Sequence, residues 1–348
     1  QSFSQEAAAA GIQQDVISQA LGGVQQDGGV LAFDRRQRYT FNKTFEQYVA
    51  TRVGSGRING GRAMLQRHAA LLSKIEQQYG VPRQILVAIW GLETDFGKGD
   101  MGKLPVFRVL ATLAHDCRRT DLFQGELLAA LKILQRGDLR LNDMIGAYAG
   151  EIGQTQFLPS SYIKYGVDFD GDGRRDLLTS APDVIGSTAN YIATGLKWRR
   201  GEPWLQEVRV PQAANFPWDQ ADLTIKLPRS KWVALGVTST DGKPLPSDEL
   251  PASLLLPMGR MGPAFLAYPN FAAYTEWNNS LIYSTTAGYL ASRIAGAPPM
   301  QRPHAPVAQL PFGEIKELQS LLARAGYDVG KIDGVLGQAT RSAVKAMQ

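Results

Sequence analysis

The chain has 348 residues, of which 44% are hydrophobic and 20% charged, and this supplies enough apolar material for two or three domains. Its net charge of +5 favours a polyanionic partner, but the basic residues occur in scattered pairs such as Arg199-Arg200, without the basic run that would indicate nucleic-acid binding. The single cysteine, Cys117, excludes an internal disulfide, and the absence of any apolar run of about eighteen residues excludes a transmembrane segment.

From about residue 45 to residue 196 the sequence predicts a mainly α-helical region. Apolar residues recur there at spacings of three and four positions, as they do on one face of a helix. The segments with this pattern are Met64–Ile75, Ile85–Leu92, Leu104–Ala114 and Leu127–Leu134. Pro82 favours a helix start just before the second segment, because proline is well accommodated in the first turn of a helix.

After Trp198 the pattern changes to that of short strands. The segments Glu207–Val210, Leu223–Leu227 and Trp232–Leu235 alternate in polarity or are rich in β-branched residues, and Pro, Gly and Asp turns separate them. We therefore predict a small β-rich insertion at about residues 205–262. Helical periodicity returns at Ala287–Ile294, which predicts a further helix after the insertion.

The carboxyl-terminal part of the chain is predicted to be a small helical unit behind a linker. Residues 296–306 contain four prolines, which is typical of a linker. Beyond it, the apolar residues of Ile315–Gly326 fall on one helical face, and a second helix is predicted from Gln338 to Met347. About 36 residues are few for independent folding, so we expect this unit to continue past the end of the chain or to pack on its neighbour.

Short motifs occur in a fixed order along the chain. Those of the carboxyl-terminal unit are Leu318-Gln319, Gly326-Tyr327, Gly330–Gly334, Gly337 and Thr340–Ala343. Together they resemble the peptidoglycan-binding domain that is common in cell-wall hydrolases. Upstream, Ile89–Thr94, Tyr148–Ser161 and Asp183–Tyr191 resemble the membrane-bound lytic murein transglycosylase B family and its soluble relatives, and the resemblance extends over about residues 45–296.

The resemblance implies a fold and a domain organisation. The fold would be mainly α (α+β), with a lysozyme-like helical catalytic core at residues 1–296 that carries the β-rich insertion at about 205–262. A Pro-rich linker would follow at 297–312 and a peptidoglycan-binding domain at 313–348. The protein would bind peptidoglycan glycan strands in the periplasm, without a cofactor for catalysis. Proteins of cell-wall synthesis or division that would recruit it are not identified by the sequence.

Glu93 is a carboxylate within an otherwise apolar helix. It follows Ile89 by four residues and Trp90 by three, so it shares their face, whereas Asp95 points elsewhere. A carboxyl group held against Trp and Ile loses hydration, which would raise its pKa toward the range useful for a general acid. From these residues alone, however, a structural glutamate paired with an arginine or with backbone donors is the stronger interpretation.

The resemblance reverses this order, because the family's catalytic acid corresponds to Glu93. It implies cleavage of the bond between N-acetylmuramic acid (MurNAc) and N-acetylglucosamine (GlcNAc) without water. Glu93 would protonate the glycosidic oxygen and, once ionised, would take the proton from the muramoyl 6-hydroxyl as that oxygen attacks the anomeric carbon. The product would be a 1,6-anhydro-MurNAc end, and a single carboxylate would be sufficient.

Glu151 is the alternative catalytic carboxylate. Beside Glu93 it would permit hydrolysis of lysozyme type, which leaves a reducing end. The interpretation that we favour for Glu151 is a polar residue in a turn bounded by glycines. A cell-wall binding protein without activity is a further alternative, and the presence of Glu93, Gln156, Tyr191 and Asn278 argues against it, because binding alone needs no buried acid.

The segment from Tyr148 to Phe157 has the composition of a sugar site, because it combines amide and hydroxyl groups with aromatic rings. This composition makes Tyr148 a candidate substrate contact, and the resemblance assigns further contacts to Arg118, Arg119, Gln156, Tyr191, Asn278 and Tyr283. The arginine pair would meet peptide or lactyl carboxylates. The alternatives are core packing for each aromatic residue and solvated surface positions for the two arginines.

Residues Asp168–Asp176 have the spacing of a calcium-binding loop. Carboxylates occupy the first, third, fifth and ninth positions and a glycine the sixth, but the twelfth is Thr179 rather than glutamate. An Asp/Gly-rich surface turn is the alternative. The resemblance implies a variant loop with a later final carboxylate. We therefore expect a structural Ca²⁺ bound by Asp168, Asp170, Asp172, the Arg174 carbonyl and Asp183, with Asp176 bound directly, bound through water or not bound.

Two single residues give further expectations. The first residue is Gln1 rather than Met, which indicates a processed or trimmed amino terminus. No cysteine stands at this position, but the trimmed start leaves lipid anchoring of the native amino terminus open. Cys117 is predicted to be a small buried apolar side chain.

Overall fold

The computed structural model describes residues 2–36, 43–116 and 118–348. They form two compact units, which are residues 2–36 with 60–197 and residues 43–59 with 198–348. In this part of the chain, helices predominate beside two small antiparallel sheets, so the predicted mainly α (α+β) fold is confirmed. No helix among these residues has the length and hydropathy that crossing a bilayer requires. Cys117 lies outside the described residues.

The first unit is mainly helical. Its most deeply buried side chains include Leu72, Ile75, Ile85, Ile89, Leu110 and Leu131. Burial of one such side chain contributes about 1.5–3 kcal/mol relative to exposure. The first eleven helices of the described chain are α1 (Phe3–Ala9), α2 (Gln14–Leu21), α3 (Gly28–Arg36), α4 (Phe45–Arg52), α5 (Ser55–Arg67), α6 (Ala69–Tyr79), α7 (Arg83–Thr94), α8 (Val106–His115), α9 (Thr120–Arg136), α10 (Pro159–Tyr165) and α11 (Ala181–Asn190). Of these, α4 and the start of α5 belong to the second unit.

Two of the predicted helical segments are interrupted. Met64–Ile75 is not one helix, because α5 ends at Arg67 and His68 has backbone angles (φ −108°, ψ 25°) that depart from those of a helix. Leu104–Ala114 begins with a short strand, β1 (Leu104–Pro105), which pairs with β2 (Ile145–Gly146) before α8 starts. Hydrophobic periodicity identifies the buried face of such segments but does not detect a break within them.

A five-stranded antiparallel sheet forms the β-rich region of the second unit. The strands are β3 (Leu205–Arg209), β4 (Leu227–Pro228), β5 (Thr238–Ser239), β6 (Pro251–Leu255) and β7 (Ala264–Ala267), in the order β4-β6-β7-β3-β5. Val208 lies opposite Ala264, and Leu254 lies opposite Leu266. These four side chains belong to one buried cluster with Trp232. The last strand, β7, lies just beyond residue 262, the predicted end of the insertion.

The prediction of a strand at Trp232–Leu235 is wrong. This segment overlaps α12 (Arg229–Ala234), which begins directly after Pro228. Trp232 is fully buried, and its indole Nε1 donates a hydrogen bond to the Ala252 carbonyl at 2.9 Å. A four-residue apolar run is compatible with a buried strand or with one turn of a buried helix, so its composition could not decide between them.

The remaining helices of the second unit are α13 (Phe271–Trp277), α14 (Leu281–Ile294), α15 (Phe312–Arg324) and α16 (Gln338–Met347). The last coincides with the predicted helix. α15 and α16 share a small core at Leu322 and Ala343, beside the buried amide of Gln319. The Gln319 Oε1 accepts hydrogen bonds from the backbone of Asp333 and Gly334, at 3.0 and 2.7 Å. One buried amide therefore fixes the turn between the two helices.

Residues 297–311 form an extended segment that is attached to the β-rich region. The backbone N–H of Gln301 donates to Glu207 Oε1 at 2.8 Å, and that of His304 donates to the Met261 carbonyl at 2.8 Å. The N–H of Met300 donates to the Tyr289 hydroxyl at 2.9 Å. These bonds give the proline-rich segment a fixed path along the second unit.

α16 is attached to the β-rich region by buried polar contacts. The carboxylate of Asp222 accepts hydrogen bonds from Gln338 Nε2 at 2.9 Å and from Ser342 Oγ at 3.2 Å. The guanidinium of Arg341 donates to the carbonyls of Leu256 and Pro257, at 3.2 and 3.0 Å. Burial lowers the pKa of Arg341, so its hydrogen bonds compensate for lost hydration.

Replacing Arg341 with glutamine is expected to loosen this attachment. Hydrogen bonds to a charged group contribute about 1.5–3 kcal/mol each, so the loss of one is enough for about tenfold faster opening of α16. Amide hydrogen exchange over residues 338–347 measures the opening. Arg324→Gln, at an exposed position of α15, is the matched control and should exchange like the parent protein. Equal exchange in the two variants would contradict the expectation.

Candidate active site

Glu93 lies at the carboxyl-terminal end of α7, on a buried helix. Every residue from Ile85 to Leu92 is buried, whereas Glu93 itself is only half-buried. The helix stops at Asp95, which is exposed and has a left-handed conformation with φ of 50°. Glu93 is therefore held on a rigid element while part of its side chain remains accessible, as an acid that must reach a substrate requires.

Gln154 connects α7 to the turn at residues 152–157. Its side-chain Oε1 accepts a hydrogen bond from the Trp90 indole at 2.7 Å, and its Nε2 donates to the Leu178 carbonyl at 2.7 Å. The Thr94 hydroxyl donates to the Gln154 carbonyl at 2.5 Å. Gly97 has a φ of 78°, which favours glycine, and a Cβ atom there would lie 2.2 Å from Gln154 Oε1 and displace this amide. These contacts hold the end of α7, which carries Glu93, against the turn that carries Gln156.

Replacing Gln154 with methionine is expected to destabilise the protein by about 1–3 kcal/mol, because the buried indole N–H of Trp90 would lose its acceptor. Urea unfolding measures the change in the free energy of unfolding. Trp90→Phe removes the donor, so the double variant Trp90→Phe with Gln154→Met should cost less than the sum of the two single changes. Strictly additive costs would show that this hydrogen bond does not carry the effect.

Gln156 occupies an unusual backbone position in the same turn. In the described part of the chain, the non-glycine residues with positive φ are Asp95, Phe96, Gln156 and Lys197, and the first three lie next to Glu93 or in this turn. The amide of Gln156 donates to the carbonyls of Met101 and Gly153, at 3.2 and 2.9 Å. Left-handed backbone at non-glycine residues is concentrated at functional sites, where surrounding contacts compensate for the strain.

Tyr191 lies where α11 changes to one turn of π-helix, Tyr191–Gly195. Its ring packs edge-on against Phe157, with centroids 5.5 Å apart, and stacks on Tyr165 at 4.6 Å. Single π-helical turns are rare and occur often at functional sites. Phe157 belongs to the turn that Gln154 joins to α7, so one series of contacts links the segments of Glu93, Gln156 and Tyr191.

Glu151 precedes this turn and has a local structural role. Its Oε2 accepts a hydrogen bond from the backbone N–H of Ala149 at 2.9 Å. The residue is half-buried between Gly150 and Ile152, and both neighbours are buried. This contact agrees with the interpretation of Glu151 as a polar turn residue.

The arginine pair and Tyr148 are both in contact with α3. Asp34 accepts a hydrogen bond from Arg118 at 2.6 Å and another from Arg119. Phe33 stacks on Tyr148, with ring centroids 3.5 Å apart and an interplanar angle of 14°. The hydrogen bond that Arg118 donates to Asp116 raises the pKa of Arg118. Phe33 and Asp34 lie before the region of helical periodicity and outside every sequence motif, so the sequence did not predict these contacts.

Asn278 and Tyr283 belong to the second unit. Asn278 ends α13, and its side-chain Oδ1 accepts a hydrogen bond from the Ser280 backbone at 2.9 Å. Tyr283 is buried in the first turn of α14, where its backbone N–H donates to Ser280 Oγ at 3.2 Å. Ser280 therefore fixes the connection between the two helices that carry these residues.

Four carboxylates of the predicted metal loop converge. One oxygen from each of Asp168, Asp170, Asp172 and Asp183 lies within 4.8 Å of the others. Asp183 is fully buried and accepts backbone hydrogen bonds from Phe169, Asp170 and Asp176, at 2.7, 3.3 and 2.8 Å. Hard oxygen ligands of this kind suit Ca²⁺, and a divalent cation would offset the repulsion among the four anions.

Asp176 is outside this group of four. Its Oδ1 accepts hydrogen bonds from the backbone of Leu178 and Thr179, at 2.9 and 3.0 Å, and its other oxygen accepts one from the Thr179 hydroxyl. Thr179, at the twelfth loop position, is thus a partner of Asp176. The loop is also held by Asp138, whose Oδ1 accepts the Arg175 backbone N–H at 3.0 Å.

The motifs match known families along most of the chain. Residues 1–292 match the family Transglycosylase SLT domain, and residues 313–348 match a family of peptidoglycan binding domains. A curated relative is membrane-bound lytic murein transglycosylase B of Escherichia coli (strain K12). It is 32% identical over 256 residues, which are 73% of this chain and 68% of that protein.

Solved structures of similar proteins agree with this match. SltB3 from Pseudomonas aeruginosa, in complex with NAG-anhNAM-pentapeptide, has a TM-score of 0.90 and 42% identity, over 99% of this chain and 92% of that one. The Escherichia coli lytic transglycosylase Slt35, in complex with calcium, has a TM-score of 0.70 and 28% identity, over 84% of this chain and 92% of that one.

Proposed function

Because the chain belongs to the Transglycosylase SLT domain family and is a peptidoglycan lytic transglycosylase, we propose that Glu93 is its single catalytic acid and base. The enzyme cleaves glycan strands of peptidoglycan to give anhydro-MurNAc ends, and it binds those strands. The observation that carries the assignment is the position of Glu93, half-buried at the end of a helix that Gln154 joins to the Gln156 turn.

In the proposed reaction, the Glu93 carboxyl first donates its proton to the glycosidic oxygen between MurNAc and GlcNAc. The bond breaks with positive charge on the anomeric carbon, and the GlcNAc hydroxyl leaves. The Glu93 carboxylate then accepts the proton of the muramoyl 6-hydroxyl while that oxygen bonds to the anomeric carbon. The residue ends protonated, as it began, and no water is consumed.

We propose substrate contacts from Tyr148, Gln156, Tyr191, Asn278 and Tyr283. Tyr148 and Tyr191 supply aromatic faces, and Gln156 supplies an amide in a fixed orientation. Arg118 and Arg119 are proposed to meet carboxylates of the peptide or lactyl groups. Their existing bonds to Asp34 limit the donors that remain for a ligand.

We propose that Ca²⁺ is bound by Asp168, Asp170, Asp172, the Arg174 carbonyl and Asp183. Support comes from the converging carboxylates and from the complex of the relative Slt35 with calcium. The ion would offset the negative charge of the loop between the Gln156 turn and α11, and it has no part in the chemical steps.

We also propose the domain boundaries 1–296, 297–312 and 313–348, and a periplasmic location that agrees with the murein substrates of the relatives.

Product analysis tests the use of one carboxylate. Glu151→Gln is expected to keep its rate within about threefold, because Glu151 bonds to its own turn, and to produce 1,6-anhydro ends. Mass spectrometry of muropeptides from digested sacculi distinguishes these ends, which are lighter by one water than reducing ends. Reducing ends from the parent protein that disappear in Glu151→Gln would instead support the hydrolytic alternative with two carboxylates.

A further inference from the structure

A concave pocket on the β-rich region of the second unit has no role in the reaction described above. It is a shallow concavity, with a cavity volume of about 10 Å³, between β3, the loop before β7 and the extended segment 297–311. We call it the basic pocket. Its polar and aromatic lining includes Arg209, Gln212, Trp218, Arg260, Arg302 and His304.

The charged side chains that line the basic pocket are all positive. Three guanidinium groups, those of Arg209, Arg260 and Arg302, line it, and no carboxylate is among the described residues that do so. Arg209 donates to the Thr240 carbonyl at 2.9 Å, and within the described residues none of the three arginines forms an ion pair. Like charges in one concavity repel each other, so an anion would be stabilised there.

The pocket is formed before any ligand binds. Its outer wall is the segment that carries Gln301, Arg302 and His304, and the backbone of Gln301 and His304 is bonded to the β-rich region. Glu207, which accepts the Gln301 N–H, is the adjacent carboxylate and does not line the pocket. A preformed site avoids the entropy cost of ordering its wall when a ligand enters.

Apolar surface lies beside the arginines. The Trp218 ring packs against Phe216, with centroids 4.8 Å apart, and Pro263 lines the same pocket. A neutral sugar would leave the guanidinium groups without an anion, and a small inorganic anion would leave the indole unused. A ligand with several carboxylates and short apolar groups would use both surfaces.

We propose that the basic pocket binds the carboxylate-bearing peptides of peptidoglycan. This inference rests on the proposed function, because it takes the peptides from the substrate of the same enzyme. The guanidinium groups bind the peptide carboxylates, and the indole of Trp218 packs on the intervening apolar groups. The enzyme thereby contacts the peptide as well as the glycan.

A free peptide tests the proposal with the full-length protein. The probe is the tetrapeptide L-alanyl-γ-D-glutamyl-meso-diaminopimelyl-D-alanine, titrated at low salt because salt screens exposed charges. The readout is the indole N–H resonance of Trp218, which is assigned by its absence in Trp218→Phe. We expect a saturable shift whose dissociation constant rises at least tenfold in Arg260→Gln/Arg302→Gln. Arg302→Gln alone should raise it severalfold.

Two controls distinguish binding by the arginines of this pocket from non-specific attraction of the peptide to a positively charged protein. Lys226→Gln/Lys231→Gln removes two exposed positive charges of the same unit outside the pocket and should bind the peptide like the parent protein. The peptide with amidated carboxylates should not shift the resonance. Absence of the shift, an equal shift with the amidated peptide or with inorganic phosphate, or unchanged affinity in the arginine variants would overturn the proposal.

The test is independent of the catalytic assignment. A free peptide contains no glycosidic bond, so its binding does not depend on Glu93. Sacculi digested with Arg260→Gln/Arg302→Gln should still give 1,6-anhydro ends, because neither arginine takes part in the proposed reaction. Loss of peptide binding together with retained anhydro products supports the pocket and leaves the role of Glu93 unaffected.

Discussion

Replacing Glu93 with glutamine is expected to lower the initial rate of anhydro-muropeptide release from sacculi by about 10²–10⁴-fold, the range attributed to a positioned acid or base. Glutamine has the same shape as glutamate but neither donates the carboxyl proton nor accepts the proton of the 6-hydroxyl. Because Glu93 is proposed to act in both steps, the loss should fall at the upper end of this range. Chromatography and mass spectrometry of the products measure it.

The interpretation of this loss depends on an intact fold. Glu93 is half-buried at the end of α7, so Glu93→Gln should unfold within about 1 kcal/mol of the parent protein in urea. Binding to sacculi should also be retained, since the carboxyl-terminal unit is unchanged. A Glu93→Gln protein that keeps its activity would refute the assignment, whatever its stability.

Removing calcium is expected to have the largest effect on stability. A ligand present at one hundred times its dissociation constant stabilises the folded state by about 2.7 kcal/mol, which corresponds to a rise of about 5 °C or more in Tm. Adding Ca²⁺ to chelator-treated protein should therefore raise Tm, as followed by circular dichroism. The physical reason is the convergence of four carboxylates, which repel one another without a cation.

Variants within the loop make this test specific. Asp172→Asn removes an exposed member of the group of four and should abolish most of the rise in Tm on addition of Ca²⁺. Asp176→Asn should lower Tm in the chelated state, because Asp176 accepts three hydrogen bonds, yet it should keep the rise. A rise that is equal in Asp172→Asn and the parent protein would exclude this loop as the calcium site.

Sequence patterns predicted the local features of the first unit well. The burial of Ile85 to Trp90 follows from near-continuous apolar composition, and the position of Glu93 on that face follows from helical spacing. The loop from Asp168 was recognisable because calcium ligands alternate at fixed positions. In each case a short segment carries the whole signal, so no distant contact is needed to interpret it.

Sequence patterns gave the wrong local structure where the same composition is compatible with two local structures. Trp232 is in a helix rather than a strand because it packs into the sheet and donates to the Ala252 carbonyl. His68, whose ring centroid lies 5.7 Å from that of Trp90, divides two helices whose apolar faces are continuous in sequence. In both places the choice depends on packing partners that are distant in the chain, which local composition does not encode.

The sequence by itself determined the helical character of the first unit, the place of Glu93 on the apolar face of α7 and the ligand spacing of the loop. The tertiary structure decided which residues hold these parts: Gln154 bonds to Trp90 across 64 positions, and Asp34 bonds to Arg118 across 84. It also decided that α16 and the proline-rich segment are attached to the β-rich region, where the basic pocket forms. Helical and loop signals arise from neighbouring residues, whereas these contacts join residues whose proximity exists only after folding.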